Sequence, residues 1–169
     1  LHLFEDFGPE CLHRLNGQFA VAIWDRKERC LFLARDRLGI RPLFYTRTPE
    51  SLWFGSEIKA LLAAPGVSAE IDPAALDQVF TFWCPLTPKS LFRDIVELPP
   101  GHFLETRDGR STLTRYWQPE FPAADSRSPA RPGPVETEAA VEEFRALLVD
   151  ATLQQLRADV PVGAYLSGG

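Results

Sequence analysis

Alternating apolar and polar positions divide the first part of the chain into short segments. Residues 2–15 carry apolar positions at helical spacing around Gly8-Pro9, which predicts a helix end, a turn and a second short helix. Apolar runs separated by polar turns then predict strands at residues 18–24, 30–34, 43–45 and 52–54. Strands this close together are typical of an antiparallel sheet. The first two runs are apolar nearly throughout, so we expect both of their faces to be covered.

Helical spacing returns further along the chain. Ser56 is expected to open a short helix, and Asp72-Pro73 combines an N-capping aspartate with proline at the first helical position. The second helix carries one apolar face, made of Leu76, Val79, Phe80 and Trp83, which we expect to be buried. Trp83 and Trp117 are both expected to lie in the core. A hairpin turn at Asp108-Gly109 joins predicted strands at residues 102–106 and 112–117.

Composition changes after residue 118, where prolines with serine, alanine and glycine predict a linker between domains. A helix is then predicted over residues 137–158, with a buried stripe made of Val141, Phe144, Leu148 and Ala151. The apolar run at residues 161–166 predicts a buried strand. A helix followed by a strand is how an α/β domain would begin.

Charge and cysteine content narrow the class of protein. The net charge of −5 and the lack of a basic stripe argue against a nucleic-acid partner. The sequence contains neither an apolar stretch of about 20 residues nor a signal peptide, so no membrane partner is expected. The three cysteines are widely spaced and match no metal-binding pattern. We therefore expect reduced, buried thiols in a cytoplasmic protein, without a metal held by these cysteines.

The final residues carry the clearest candidate chemistry. Leu166 ends the apolar run, and Ser167-Gly168-Gly169 follows it directly. A glycine-rich turn at the carboxyl end of a strand can direct several backbone N–H groups at a phosphate, because no Cβ blocks the approach. The Gly-Lys-Ser/Thr ending of a Walker A loop is absent. This turn is therefore a candidate phosphate-binding loop of another type.

A second candidate is the polar corner between two predicted strands, Arg35-Asp36-Arg37-Leu38-Gly39-Ile40-Arg41-Pro42. We interpret it first as a structural corner stabilised by Asp–Arg pairing. The alternative is that Asp36 or Arg41 contacts a substrate or an interface. Ser56-Glu57-Ile58-Lys59 is similarly interpreted as a capped helix start rather than an acid–base pair.

Each of these motifs is weak alone, but their order resembles that of the glutamine-hydrolysing asparagine synthetases, which are class II (Ntn-type) amidotransferases. The resemblance covers nearly the whole chain apart from the linker. It is carried in order by Leu15-Asn16-Gly17-Gln18-Phe19-Ala20, the corner at 35–43, Gly55-Ser56-Glu57-Ile58-Lys59-Ala60-Leu61, Leu98-Pro99-Pro100-Gly101-His102, Tyr116-Trp117 and the run from Asp159 to Gly169.

The resemblance implies an α+β protein. Residues 1–118 would be the C-terminal part of a glutaminase domain, a partial Ntn-hydrolase αββα sandwich with antiparallel sheets. Residues 119–136 would be a proline-rich linker, and residues 137–169 the first helix and strand of an α/β ATP-pyrophosphatase domain. The family hydrolyses glutamine to ammonia and activates aspartate with ATP and Mg²⁺ as β-aspartyl-AMP, giving asparagine, AMP, pyrophosphate and glutamate. A homodimer is among the assemblies it allows.

The resemblance assigns few site residues. Leu166, Ser167, Gly168 and Gly169 match the start of the family's pyrophosphate loop, and Arg35, Asp36 and Arg41 match a signature expected to be scaffold near the site. The nucleophilic cysteine is the first residue in the family, and Leu1 stands first here, so we expect this chain alone to be inactive. Two alternatives stay open: a related amidotransferase acting on a sugar, a peptide or a β-amino acid, and a non-catalytic amidotransferase-like module.

Overall fold

The computed structural model describes residues 1–121 and 134–165, with the side chains of the second range described from residue 137. The chain divides into two compact units, Leu1–Glu120 and Phe121–Gly169. Among the described residues, no helix combines the length and apolar character needed to cross a membrane.

The first unit contains two antiparallel sheets. The larger sheet has four strands in the order β1-β2-β6-β7, and the smaller has three in the order β4-β3-β5. The strands are β1 (Ala20–Asp25), β2 (Cys30–Arg35), β3 (Phe44–Arg47), β4 (Leu52–Gly55), β5 (Ile95–Glu97), β6 (His102–Arg107) and β7 (Arg110–Arg115). The antiparallel pairing and six of these strands are as predicted. Strand β5 was not predicted, because three residues are too few to show a period.

Two apolar cores lie on opposite faces of the larger sheet. Phe32, Ala34 and Phe103 pack with Cys11 and Leu12 of the segment that begins the chain. That segment comprises α1 (His2–Phe7) and a 3₁₀ helix (Gly8–Arg14), so both predicted short helices are confirmed, the second with tighter winding. On the other face, a second core joins the two sheets; it consists of Leu33, Leu43, Leu98 and Leu104. Since side chains alternate along a strand, β2 is buried on both faces.

Strand β1 departs from the expectation that both of its faces are covered. Ala22 and Trp24 are exposed, Trp24 to 57%. The reason is position: β1 is the outermost strand of the larger sheet, and the inter-sheet core is centred on β2 and β6. The prediction was therefore right for β2 and wrong for β1.

The helices after β4 also differ from expectation in part. Helix α2 (Ile58–Leu62) begins after Glu57 and not after Ser56, with no side-chain cap. Asp72 caps α3 (Pro73–Phe82) as predicted, accepting a hydrogen bond of 2.9 Å from the Ala74 N–H. The apolar face of α3 is not buried, however: Phe80 is 82% and Trp83 93% exposed.

Trp83 is thus not a core residue, because it ends α3 in the left-handed conformation (φ 65°) and stands clear of the sheets. Trp117 is half-buried. Among the cysteines, Cys11 and Cys30 are buried, whereas Cys84 is exposed beyond the end of α3. The expectation of buried thiols is therefore wrong for Cys84.

The second unit consists, in its described part, of α4 (Pro134–Gln155) and an irregular stretch after it. The stripe expected to be buried is exposed, with Phe144 at 65%. Residues 161–165 form no strand. Both predictions fail there for one reason: a strand and an amphipathic stripe need neighbours, and the described residues of this unit supply only α4. Most of the predicted linker, and Leu166 to Gly169, lie outside the described residues.

Candidate functional site

The corner between β2 and β3 is organised by the carboxylate of Asp36, which is 1% exposed. It accepts hydrogen bonds from the backbone N–H groups of four residues at 3.0–3.2 Å; these are Phe19, Leu38, Ile40 and Arg41. A buried carboxylate is stable only when its oxygens are satisfied in this way. Asp36 therefore fixes the path of the corner through the backbone, and the predicted Asp–Arg pairing is not the contact that holds it.

Arg35 points to the other side of the corner. Its guanidinium donates to the carbonyl oxygens of Arg41 (2.8 Å), Leu98 (2.8 Å) and Gly39 (2.6 Å). It also lies 2.8 Å from Oε1 of Glu97. Arginine can meet several acceptors at once because its donors form a planar fork. The ion pair of this corner is thus Arg35–Glu97, which joins the end of β2 to the end of β5.

Three of the four remaining resemblance motifs of the first unit reach the same corner. Tyr116 donates its hydroxyl to the Arg35 carbonyl oxygen at 2.8 Å, and Arg37 donates to the Leu15 carbonyl oxygen at 2.7 Å. The N–H of Gly101 donates to the Asp36 carbonyl oxygen at 3.0 Å. Segments far apart in sequence therefore converge on residues 35–43. The Gly55–Leu61 motif lies one strand away, since Gly55 pairs with Phe44 of β3.

Two glycines permit this close approach. Gly39 has φ +66°, and a Cβ there would lie 2.7 Å from Pro100 Cγ. Gly101 also has φ +66°, and a Cβ there would overlap the carbonyl oxygen of Trp117. Both positions thus require glycine for conformation and for space.

The electrostatics follow from burial and hydrogen bonding. Burial disfavours the charged form of Asp36, but the hydrogen bonds from the Arg41, Ile40, Phe19 and Leu38 amides outweigh it and lower the pKa of the carboxyl group. Burial raises the pKa of Tyr116 to about 12. At neutral pH Asp36 is therefore an anion and Tyr116 a neutral donor, as their contacts require.

Arg41 takes part through its backbone: its N–H donates to Asp36 and its carbonyl oxygen accepts from Arg35. Its side chain is exposed, together with those of Leu38 and Ile40. Glu97 was missed at the sequence level. The one signal was its place directly before Leu98-Pro99, where a carboxylate interrupts an apolar run.

The other candidate residues, Leu166, Ser167, Gly168 and Gly169, lie outside the described residues. Within the described ranges, no group of three or more His, Cys, Asp or Glu side chains could hold a metal ion. The donors and acceptors described at the corner are paired with one another, and the corner contains no nucleophile. Its role is therefore structural: it is a rigid support.

Comparison with known proteins shows the class. Residues 1–117 match the family model described as "Glutamine amidotransferase domain", and residues 143–169 match the model described as "Asparagine synthase". The first match covers more than half of the chain. The chain therefore belongs to the glutamine amidotransferase domain family.

Comparison with individual proteins adds named relatives to this family assignment. Over 177 residues the chain is 39% identical to glutamine-hydrolysing asparagine synthetase 3 of Bacillus subtilis, covering 100% of this chain and 26% of that protein. It is 34% identical to asparagine synthetase 1 of the same organism, covering 100% of this chain and 25% of the relative. A third relative, amidase chyE of Penicillium rubens, is 34% identical over 99% of this chain and 24% of its own length. The resemblance stated from the motifs is confirmed, and the chain spans about a quarter of each of these relatives.

Proposed function

We propose that this chain is part of a glutamine-dependent asparagine synthetase. The observation that carries the proposal is the order of the two family matches on one chain, amidotransferase at 1–117 and asparagine synthase at 143–169. An amidotransferase alone supplies ammonia, and a synthetase supplies the activated acceptor. Their succession in one polypeptide supports a coupled reaction.

The domain arrangement belongs to the same proposal. Residues 1–118 form the C-terminal part of an Ntn-hydrolase αββα glutaminase, 119–136 the linker, and 137–169 the start of an ATP-pyrophosphatase domain. Support comes from the compact unit Leu1–Glu120 and from its two apolar cores, one under α1 and one between the sheets. Three free cysteines support a cytoplasmic location.

The reaction uses glutamine, aspartate and ATP. A thiolate attacks the glutamine amide carbon, ammonia leaves, and water releases glutamate. The aspartate β-carboxylate attacks the α-phosphorus of ATP and expels pyrophosphate. Ammonia then attacks the β-carbonyl and expels AMP, giving asparagine. The structure places Cys11 and Cys30 in or beside the core and Cys84 at the end of α3, so we assign the thiolate to none of them.

Leu166, Ser167, Gly168 and Gly169 are proposed to begin the loop that holds the leaving pyrophosphate. Their inclusion in the asparagine synthase match supports this role. Bound Mg²⁺ would supply positive charge to the phosphates, and no described residue is assigned to it. Arg35, Asp36 and Arg41 are proposed as scaffold, since the first two are buried among backbone partners and the third contributes its backbone.

The test uses the complete gene product. Supplied with aspartate, ATP, Mg²⁺ and amide-labelled glutamine, it should release labelled asparagine, glutamate, AMP and pyrophosphate in equal amounts. Release of ADP and phosphate instead would contradict adenylation. Free ammonia should replace glutamine as nitrogen donor, because the glutaminase only supplies ammonia.

A second candidate is an amidotransferase of the same plan acting on another acceptor, such as a sugar, a peptide or a β-amino acid. One observation favours this second candidate: the relative named amidase chyE carries no synthetase name. The same assay separates the two: glutamine hydrolysis that aspartate fails to couple to AMP release indicates another acceptor. A gene product that neither hydrolyses glutamine nor consumes ATP would be the non-catalytic module.

A further inference from the structure

A cavity of about 370 Å³, here called the hairpin-end cavity, opens between the two sheets at the end opposite the corner. It is lined by the turns that join β1 to β2, β3 to β4 and β6 to β7, and by the strand ends beside them. Leu31 lines it, four residues before Arg35 on β2, so the corner lies about 13 Å away along that strand. A volume of this size is typical of small-molecule sites.

Strand pairing explains why the cavity forms here. Trp24, Leu31 and Thr106 lie directly opposite one another on β1, β2 and β6, so their side chains share one face of the larger sheet. Leu33, two residues after Leu31, belongs to the core between the sheets, so this is the face that the smaller sheet covers. Leu52 of β4 lines the cavity from the smaller sheet. The cavity is therefore the place where the core between the sheets opens to solvent.

Arg47 fixes the walls of the cavity. It ends β3 in the smaller sheet, and its guanidinium donates to the carbonyl oxygen of Gly109 at 2.8 Å and to the hydroxyl of Ser111. Both of these acceptors belong to the β6–β7 hairpin of the larger sheet. Because the two sheets are tied together across the cavity, little conformational entropy would be lost when a ligand enters it.

Three further charged side chains line the cavity without a partner. The charged groups of Arg29, Glu50 and Asp108 form no hydrogen bond or ion pair with any residue that the structure describes. Arg29 and Asp108 have φ of +49° and +47°, a conformation that non-glycine residues rarely adopt. With Arg47, the lining carries two cations and two anions. A nucleotide or another polyanion would meet as many anions as cations, so the lining favours a ligand that carries one charge of each sign.

We propose that the hairpin-end cavity binds a free amino acid with an apolar side chain. The Arg29 guanidinium holds its carboxylate, because the planar fork of donors matches two carboxylate oxygens. Glu50 and Asp108 hold its ammonium group. The indole of Trp24, which lines the cavity and is 57% exposed, covers its side chain. This inference does not depend on the proposed asparagine synthetase reaction.

Isothermal titration of the complete gene product with phenylalanine tests the proposal, since the phenyl ring can lie against the indole of Trp24. We expect one class of site with a Kd between about 10 µM and about 1 mM, as is usual for so small a ligand. Hydrocinnamate lacks the ammonium group and phenethylamine lacks the carboxylate, so each should bind at least about 10-fold more weakly. Absence of binding at about 10 mM phenylalanine, or equal binding of either analogue, would overturn the proposal.

Variants locate the site within the chain. Arg29→Gln, Trp24→Ala and the double variant Glu50→Gln with Asp108→Asn should each weaken phenylalanine binding at least about 10-fold. Arg26→Gln is the matched control, because Arg26 is an exposed arginine of the same turn that does not line the cavity. All of the substituted side chains are exposed, so thermal unfolding should stay as in the wild type. Unchanged binding by Arg29→Gln, or an equal loss in Arg26→Gln, would contradict the assignment.

Hydrogen exchange gives a second readout that needs no substitution. Phenylalanine should slow amide exchange in the three turns that surround the cavity, at residues 26–30, 48–51 and 108–109, because a bound ligand holds them closed. The corner at residues 35–43 lies at the other end of the sheets and should exchange as before. Protection that leaves the three turns unchanged would place phenylalanine elsewhere and overturn the proposal.

Discussion

The guanidinium of Arg35 and the carboxylate of Glu97 meet at 2.8 Å, with side chains only 6% and 18% exposed. Arg35 ends β2 in the larger sheet, and Glu97 ends β5 in the smaller one. Glu97 also accepts a hydrogen bond of 2.8 Å from the Thr87 hydroxyl. One ion pair thus links the two sheets at the corner where the resemblance motifs converge.

Removing one partner of this pair should be costly. Arg35→Met leaves Glu97 without its cation and three carbonyl oxygens without their donor, so we expect a loss of about 3–5 kcal/mol in the free energy of unfolding. Urea denaturation measures it. Arg107→Met is the matched control: Arg107 pairs with Glu28 at 3.1 Å on the surface and should cost at most about 1 kcal/mol. Equal losses in the two variants would show that the buried ion pair contributes no more to stability than the surface ion pair.

Asp36 should make stability depend on pH. Its pKa is lowered in the folded protein, because the amide hydrogen bonds outweigh the effect of burial. Its contribution is therefore complete above the unfolded value of about 4 and is lost as pH falls through the folded pKa. Asp36→Asn should cost about 3 kcal/mol at neutral pH, and the difference from the wild type should shrink below pH 4.

Asp77→Asn is the control for loss of a carboxylate, since Asp77 is exposed on α3. Denaturation curves recorded between neutral pH and acid compare the three proteins. If the free energy of unfolding of Asp36→Asn is lower than that of the wild type by the same amount at every pH, the four amides do not stabilise the carboxylate charge.

At Gly101, the lack of space for a Cβ can be measured separately from the strain of the positive φ. Gly101 and Gly109 both have positive φ, +66° and +77°, but a Cβ at Gly109 meets nothing within 4 Å. Gly109→Ala should therefore cost only the conformational strain of about 1–2 kcal/mol. Gly101→Ala should cost clearly more, because its Cβ overlaps the Trp117 carbonyl oxygen. Thermal unfolding of the two variants measures the difference, and similar transitions would mean that the Trp117 backbone moves aside freely.

Sequence patterns were sufficient for six of the seven strands of the first unit and for their antiparallel character, because apolar runs and turn residues are local signals. Asp72 was predicted as a cap for the same reason: capping needs one side chain and the amide two residues later. Contacts across the chain were not predictable. The partner of Arg35 lies 62 residues away at Glu97, and nothing in the composition of either segment connects them.

Burial was the least predictable property. The spacing of Phe80 and Trp83 identified an apolar side of α3 but not whether this chain covers it. The same holds for Phe144 of α4. A periodic stripe records that something packs there, and the partner need not lie in the same stretch of chain.

Substitution of Arg41 distinguishes a scaffold role from a side-chain contact with a substrate or an interface. Because its backbone carries both of its hydrogen bonds within the corner and its side chain is exposed, Arg41→Ala should change the free energy of unfolding by no more than about 0.5 kcal/mol. As scaffold, it should also leave asparagine formation by the complete gene product unchanged. A stable Arg41→Ala protein with reduced activity would assign the side chain to a substrate or an interface.

The proposed pyrophosphate loop gives the sharpest functional prediction. If backbone N–H groups of Ser167-Gly168-Gly169 hold the leaving pyrophosphate, Gly168→Val should block their approach and lower AMP formation by at least about 100-fold, as removal of a transition-state donor does. Glutamine hydrolysis by the same protein should persist, since we propose that it takes place in the amidotransferase domain. Gly163→Ala is the control, because a Cβ at Gly163 meets nothing within 4 Å. AMP release at the normal rate from Gly168→Val would remove these residues from the nucleotide site, whereas equal loss of both activities would indicate a general defect in folding.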